Sequence, residues 1–214
     1  MPSTIYGVLI ADVLESRART DIRGLLGRNL AAISQRHLRA KLIQLPYSVT
    51  AGDEFQTVTR DLPSIPAVIL DLRRALRPLS LRIGVGFGRI SDRIQPPVNR
   101  LGGEAFQRAR GAIENIKAGS LFKFDVLTAF ESCNAGFNST INLIYGLHDT
   151  LVLKITKKQW ETIEEFLDTP TLEQTAKRLR LDASTVSRNL KRGYYWQLSE
   201  TAKGAGSLIE RTFC

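Results

Sequence analysis

In the stretch LSLRIGVGFGRI (79–90), three glycines, Gly84, Gly86 and Gly88, alternate with Val85 and Phe87. Side chains of a strand alternate between its faces, so the three glycines lie on one face. Glycine weakens a strand, and three in phase mean that something approaches the backbone there. A ligand and a helix backbone both satisfy that condition.

Around this strand the chain reads as alternating elements. IYGVLIADV (5–13) is β-branched and apolar on both faces, which predicts a central strand covered on both sides. Thr20 then caps a helix with apolar residues at Ile22, Leu25, Leu26, Leu30 and Ile33. LIQLPYSV (42–49) and EFQTVT (54–59) flank the turn at Ala51-Gly52 and read as a hairpin. Ser64 caps a helix that stops before Pro78. Residues 103–118 form another helix, with Gly119 as its C-cap and Phe106, Ala109, Ile113 and Ile116 on one face. SLFKFDVLTAF (120–130) is a further strand. The order is β-α-β-β-α-β followed by α-β, an α+β, ferredoxin-like arrangement over residues 1–135.

From about residue 138 the pattern is helical to the end. A linker helix is expected over 136–155, with a separate all-α unit over 156–214. Thr156 with Gln159, and Thr171 with Gln174, have capping-box spacing. Within TLEQTAKRLRLDASTVSRNLKRG (171–193), a first helix buries Leu172, Ala176 and Leu179. A turn at Leu181-Asp182 leads into a second helix, capped by Asp182 or Ser184, that buries Val186 and Leu190. This is the pattern of a helix-turn-helix. Its outward face carries Ser184, Thr185, Ser187, Arg188, Asn189, Lys191 and Arg192, groups that bind phosphates and read base edges of double-stranded DNA. A helical hairpin used only for packing has the same pattern. This segment resembles the helix-turn-helix domains of bacterial regulators over residues 156–210.

The charge is consistent with an anionic partner. The chain of 214 residues carries +9, with 19 Lys/Arg against 13 Asp/Glu up to residue 153 and 11 against 8 beyond it. No apolar run approaches the roughly 20 residues of a membrane span. The N-terminus has no basic region before its apolar run and reads as a strand, so a cytoplasmic protein is expected. Cys133 and Cys214 have no metal-ligand spacing and are read as reduced thiols. His37 and His148 fall in helices and offer no catalytic arrangement.

Asp12 ends the first strand and Asp53 follows the hairpin turn, so their carboxylates can meet at one end of the sheet. With the Val13 carbonyl they make a hard-oxygen site suited to Mg²⁺ or Mn²⁺. Alternatively, Asp12 caps the next helix, and Asp53 with Glu54 dresses a solvated hairpin.

These stretches resemble the palm of class III nucleotide cyclases and GGDEF domains. GVLIADVLESR, AGDEFQ and LRIGVGFGRI together are similar to the SatD family of bacterial proteins, over about residues 5–130. The resemblance implies metal binding by Asp12 and Asp53, with Glu54 matching the family glutamate. Glu15 and Arg17 are extra polar groups beside Asp12, candidate phosphate or metal auxiliaries, and with Gly52, Gly84 and Gly86 they make up the candidate nucleotide-binding residues. Arg108 and Arg110, beside Gln107, are the candidates for the catalytic helix. The cyclase lysine that reads the purine is replaced by Val49-Thr50, and the catalytic Asn has no counterpart.

Three functions follow as expectations. The first is a homodimeric transcriptional regulator, in which a metal-dependent nucleotide-binding palm controls a helix-turn-helix. The second is a nucleotide cyclase or nucleotidyltransferase with two metals at Asp12 and Asp53. The third is a degenerate palm that only dimerises the DNA-binding unit.

Overall fold

The computed structural model describes residues 4–14, 22–50, 52–91 and 93–214. Its elements are β1 (Tyr6–Val13), α1 (Ile22–Arg39), β2 (Ser48–Val49), β3 (Phe55–Thr59), α2 (Ile65–Ala75), β4 (Leu81–Gly88), α3 (Glu104–Lys117), β5 (Thr128–Glu131), α4 (Ala135–Val152), α5 (Lys157–Asp168), α6 (Leu172–Leu179), α7 (Ala183–Arg192) and α8 (Tyr195–Phe213). They form a mixed α+β architecture around a five-stranded sheet of order β2-β3-β1-β4-β5. The central strand β1 runs antiparallel to β3 and β4, and β5 is parallel to β4.

Two cores sandwich the sheet. Leu9, Ala11, Val13, Ile83, Val85 and Phe87 face a large core shared with α1, α2, α4 and α8. Val8, Ile10 and Val58 face the other way, toward Ala105, Ala109 and Ile113 of α3. The register Ile10↔Gly84 and Val8↔Gly86 puts the glycines on the α3 side. A methyl on Gly84 would meet the Ala109 carbonyl oxygen and, at 2.8 Å, the Ile113 amide nitrogen; one on Gly86 would meet the Ala105 carbonyl oxygen. The helix backbone therefore fills the space that the glycines open. Gly84 and Gly86 are a seat for α3, and the expectation that they contact a nucleotide is corrected.

Two expected strands are shorter than their apolar runs. Between 42 and 49 only Ser48–Val49 pairs as a strand. Pro46 lacks an N–H, and the hydroxyls of Thr57 and Thr59 bond the Leu45 and Leu42 carbonyls at 2.6 and 2.7 Å. Side chains of β3 thus replace the rungs of a regular ladder. Between 120 and 130 only the last residues join the sheet, while Phe122 and Phe124 stack on each other before it, with centroids 5.0 Å apart.

The segment expected as a linker is a layer of the sheet unit. Phe137, Ile141 and Tyr145 of α4 lie in the large core. Asn142 clasps the backbone of Phe130 in β5, accepting from its N–H at 2.7 Å and donating to its carbonyl at 2.9 Å. Asp149, fully buried, accepts from the Leu127 N–H at 2.8 Å and pairs with the buried Arg73 of α2 at 3.2 Å. His37 is also structural: its ring nitrogens lie 2.8 Å from the Tyr47 hydroxyl and 3.0 Å from Asp71, tying α1 to α2.

A third core joins Trp160, Ile163 and Phe166 of α5 to Ala176, Val186, Leu190 and Leu198 of α6 to α8. Thr156 and Gln159 form a reciprocal capping box at the start of α5. At α6 only half of the expected box is present, the Thr171 hydroxyl accepting from the Gln174 N–H. Helix α8 then runs back to the sheet, where Phe213 stacks on Phe87 at 4.6 Å and meets Phe137 edge-on at 4.9 Å. Among the described residues no helix is long and apolar enough to cross a membrane.

Candidate functional site

The pairing Ala11↔Phe55 carries the next residue of each strand, Asp12 and Glu54, to the same end of the sheet. Both point toward α3, because they continue the alternation of Val8, Ile10, Gln56 and Val58. There α3 meets them with cations two turns apart. Lys117 Nζ lies 3.1 Å from Asp12 Oδ2, with Arg82 of β4 at 3.8 Å. Arg110 forks both oxygens of Glu54, Nη1 to Oε2 and Nη2 to Oε1 at 2.9 Å. The Thr50 hydroxyl adds a bond to Glu54 Oε1 at 2.8 Å.

The electrostatics follow from these partners. Burial pushes the Glu54 carboxyl up, but the Arg110 guanidinium and the Thr50 hydroxyl outweigh it and hold it below the ordinary carboxylate range. Burial pulls the Lys117 ammonium down, and Asp12 and Glu114 outweigh it, so its pKa is raised. The Arg110 pKa is raised chiefly by its bond to Glu54, against a smaller burial penalty, with Asp12 among the contributing charges. Asp12, Glu54, Arg110 and Lys117 therefore form one interacting row.

The acid that pairs with Asp12 across the strands is thus Glu54. Gly52, at φ +64°, makes the hairpin turn, and Asp53 beside it is half-buried with no side-chain partner among the described residues. Val13 buries its side chain in the large core, leaving its carbonyl as its only ligand atom. Among the described residues no group of three His, Cys, Asp or Glu side chains is gathered to hold a metal ion. One feature of the site fits a cation: Asp12 Oδ1 is buried and has no hydrogen-bond partner among the described residues. A buried carboxylate oxygen without a donor is costly and is an open coordination position. Glu15 and Arg17 lie outside the described residues.

Two clefts flank the row. One, of about 540 Å³, is lined by Thr50, Gln56, Asn99, Phe106, Gln107 and Arg110. Gln56 is 5% exposed there, and its amide has no side-chain hydrogen bond among the described residues. The other, of about 580 Å³, has Arg82, Lys117 and Lys123 in its wall. The expected catalytic arginines are both engaged within the protein. Arg108 donates to the Phe87 carbonyl at 2.6 Å, and Arg110 holds Glu54.

In the C-terminal unit, α6 ends on Arg180 in the left-handed region, at φ 55°. The Leu181 N–H bonds back to the Ala176 carbonyl at 2.9 Å, which turns the chain into α7. Asp182 is the N-cap of α7 by position, without a side-chain bond. Val186 and Leu190 are buried, while Ser184, Ser187, Arg188, Lys191 and Arg192 are exposed and Thr185 half-exposed. None of the three cations has an ion-pair partner among the described residues. Asn189 departs from the expected outward face: its amide donates to Thr162 Oγ1 of α5 at 3.1 Å. It holds α7 in place.

Sequence reasoning missed Lys117 and Arg82 as partners of Asp12. The signal for Lys117 was its spacing of seven from Arg110, two helical turns along one face of α3. Arg82 needed the strand register, in which it stands opposite Asp12.

The sequence matches the family model described as SatD family over residues 6–201. Among curated proteins there is no significant match. Of solved structures, a bacterial light-regulated adenylyl cyclase is 14% identical, over 59% of this chain and 75% of that one, with a TM-score of 0.41. A regulator of polyketide synthase expression from Bifidobacterium adolescentis is 14% identical, over 97% of this chain and 81% of that one, with a TM-score of 0.29. At these scores neither likeness carries an argument about this chain.

Proposed function

The chain belongs to the SatD family, and we propose that it is a regulator in which a nucleotide-binding palm controls a DNA-binding helix-turn-helix. The sheet with α1 to α3 is the ferredoxin-like palm, and α6 and α7 are the helix-turn-helix. The observation that carries the nucleotide reading is the buried Oδ1 of Asp12, without a hydrogen-bond partner among the described residues and on a carboxylate flanked by Lys117 and Arg82.

Asp12 and Asp53 would hold Mg²⁺ or Mn²⁺, which when bound supplies neutralising charge to phosphates. Lys117 and Arg82 take phosphate oxygens from the protein side. Gln56, Asn99 and Gln107 offer amides to a base edge, and Phe106 an apolar wall, in the cleft on the Glu54 side. Asp12 is linked to that cleft through the Arg110–Glu54 fork. Binding is favoured over catalysis because Arg108 and Arg110 already hold protein partners. In the DNA unit, Arg188, Lys191 and Arg192 face a phosphate backbone, with Ser184, Thr185 and Ser187 toward the groove.

The test is titration of the four nucleoside triphosphates with Mg²⁺ or Mn²⁺ by calorimetry, followed by DNA binding with and without the best ligand. Asp12→Asn is expected to weaken nucleotide binding by at least about tenfold. An unaltered affinity in that variant, or a DNA affinity indifferent to every nucleotide, refutes the reading. Product formation from any triphosphate, lost in Asp12→Asn, would favour a nucleotide cyclase or nucleotidyltransferase instead.

A further inference from the structure

Where the sheet unit meets α5, a cavity remains that the functions above leave unused. It measures about 310 Å³ and lies between the end of α2, the start of β4, the end of α4 and the start of α5. Three cations, Arg73, Arg77 and Lys157, stand in its wall, and among the described residues no carboxylate does. Most of the remaining wall is apolar, with Leu79, Leu127, Val152, Ile155 and Trp160.

Each cation has donors to offer. Arg73 is 5% exposed, and its two terminal nitrogens donate to the Leu81 carbonyl, Thr128 and Asp149. Its Nε is buried with no hydrogen-bond partner among the described residues. A buried donor without an acceptor is costly, and it calls for a group that completes its bonding. Arg77 lies over the Trp160 ring, its Cζ 5.3 Å from the centroid. Only its Nη1 is bonded, to Glu164 at 2.9 Å, so Nε and Nη2 have no hydrogen-bond partner among the described residues. Lys157 is the first residue of α5, with a side chain 85% exposed and a Glu161 oxygen at 3.9 Å. At that exposure the pairing is worth little. The first turn of α5 adds N–H groups without helical carbonyl partners, which favour negative charge.

Charge decides the head group of a ligand here, and volume decides its body. At about 30 Å³ for each water-sized group, the cavity holds roughly ten non-hydrogen atoms, too few for a nucleoside triphosphate. A phosphate would bring about two negative charges and three strong acceptors against a wall that is mostly apolar. A carboxylate matches the planar guanidinium edge with two oxygens and leaves the rest of the molecule apolar. We propose that this cavity binds a small organic acid, a carboxylate on a compact apolar or aromatic body. Arg77 and Lys157 hold the carboxylate, and Leu79 and Trp160 pack the body. Arg77 follows α2 of the sheet unit and Lys157 opens the C-terminal unit, so the ligand ties one to the other.

Titration of benzoate and of isovalerate into the full-length chain carrying Trp196→Phe, at constant ionic strength, tests this. Trp160 is then the single tryptophan and lies in the cavity wall. Its emission is expected to change saturably with at least one of the two acids. Benzamide, the uncharged counterpart of benzoate, is expected to leave it unchanged, and inorganic phosphate to bind more weakly than the acid. Lys157→Glu, at an exposed position that the fold tolerates, is expected to weaken acid binding by at least about tenfold. Arg77→Met is expected to do the same, and should it fail to fold, Lys157→Glu decides alone. Asp12→Asn leaves acid binding unchanged, which separates this site from the nucleotide site. No saturable change with either acid up to tens of millimolar overturns the proposal. So does benzamide binding as tightly as benzoate, phosphate binding more tightly than both acids, or full acid affinity in Lys157→Glu.

Discussion

Lys117 Nζ sits 3.1 Å from Oδ2 of the buried Asp12, so the last turn of α3 closes on the end of the central strand. The contact joins α3, the helix seated on the glycine face, to the acid expected to bind metal. Lys117→Met leaves Asp12 with Arg82 at 3.8 Å as its remaining cation. The expected loss is about 1–3 kcal/mol of stability, the cost of leaving a buried acceptor poorly paired. Chemical denaturation checks it, and adding Asp12→Asn to Lys117→Met should return most of the loss.

The seat of α3 on β4 predicts opposite signs for two glycine substitutions. Gly86→Ala drives a methyl into the Ala105 carbonyl, a backbone atom that cannot swing away, and should cost about 1–3 kcal/mol or more. Gly204 lies within α8 and a methyl there meets nothing within 4 Å. Gly204→Ala should stabilise by about 0.5–1 kcal/mol through helix propensity. Melting temperatures of the two variants must move in opposite directions.

Arg73 and Asp149 are a buried ion pair between α2 and α4, with the arginine also bonded to the Leu81 carbonyl at 3.0 Å and to Thr128 Oγ1 at 2.7 Å. Arg73→Met strands a fully buried carboxylate, and about 3–5 kcal/mol should be lost. Equilibrium unfolding should show the drop in midpoint at neutral pH.

Acid should weaken the α1–α2 contact. Burial raises the Asp71 carboxyl, but His37 and Arg36 outweigh it and hold it below the usual range. A carboxyl depressed in the folded state contributes stability above its unfolded value, about 3.9, and loses it as pH falls through the folded one. Glu54 has the same sign through Arg110 and Thr50. Stability should therefore decline steeply below about pH 4. The decline should be shallower in Asp71→Asn, as thermal unfolding across pH 3 to 6 would show.

On α7, Arg188→Ala and Lys191→Ala should each lower the slope of log affinity against log salt by about 1, with little change in sequence preference. Asn189→Ala should cost about 1 kcal/mol of folding stability through loss of its bond to Thr162, leaving the salt slope intact. Fluorescence anisotropy at several salt concentrations distinguishes the two classes.

The order of strands and helices was legible because periodicity records which face is buried. β1, with buried residues on both faces, and α7, with Val186 and Leu190 one turn apart, are clear cases. The glycine phase of β4 announced a close approach, but one sequence cannot distinguish a ligand from a helix, and the helix is what occupies the space. The role of α4 was hidden because apolar spacing is the same for a connecting helix and a core layer. The Asn142 clasp on Phe130 and the Asp149 bond to Leu127 depend on contacts across the fold. At the candidate site, the strand-end acids were visible in order, whereas the cations that meet them lie on an element some sixty to one hundred residues away.

Helix α8 carries Leu198 in the core of α5 to α7, and Ala205 and Ile209 in the core of the sheet. One rigid rod thus belongs to two interiors. Neither can melt while the other stays intact without tearing apolar side chains of α8 into water, so heat should unfold the chain in one calorimetric transition. For the same reason, a displacement of the sheet has a stiff route along α8 to the Gly193-Tyr194 turn where α7 ends.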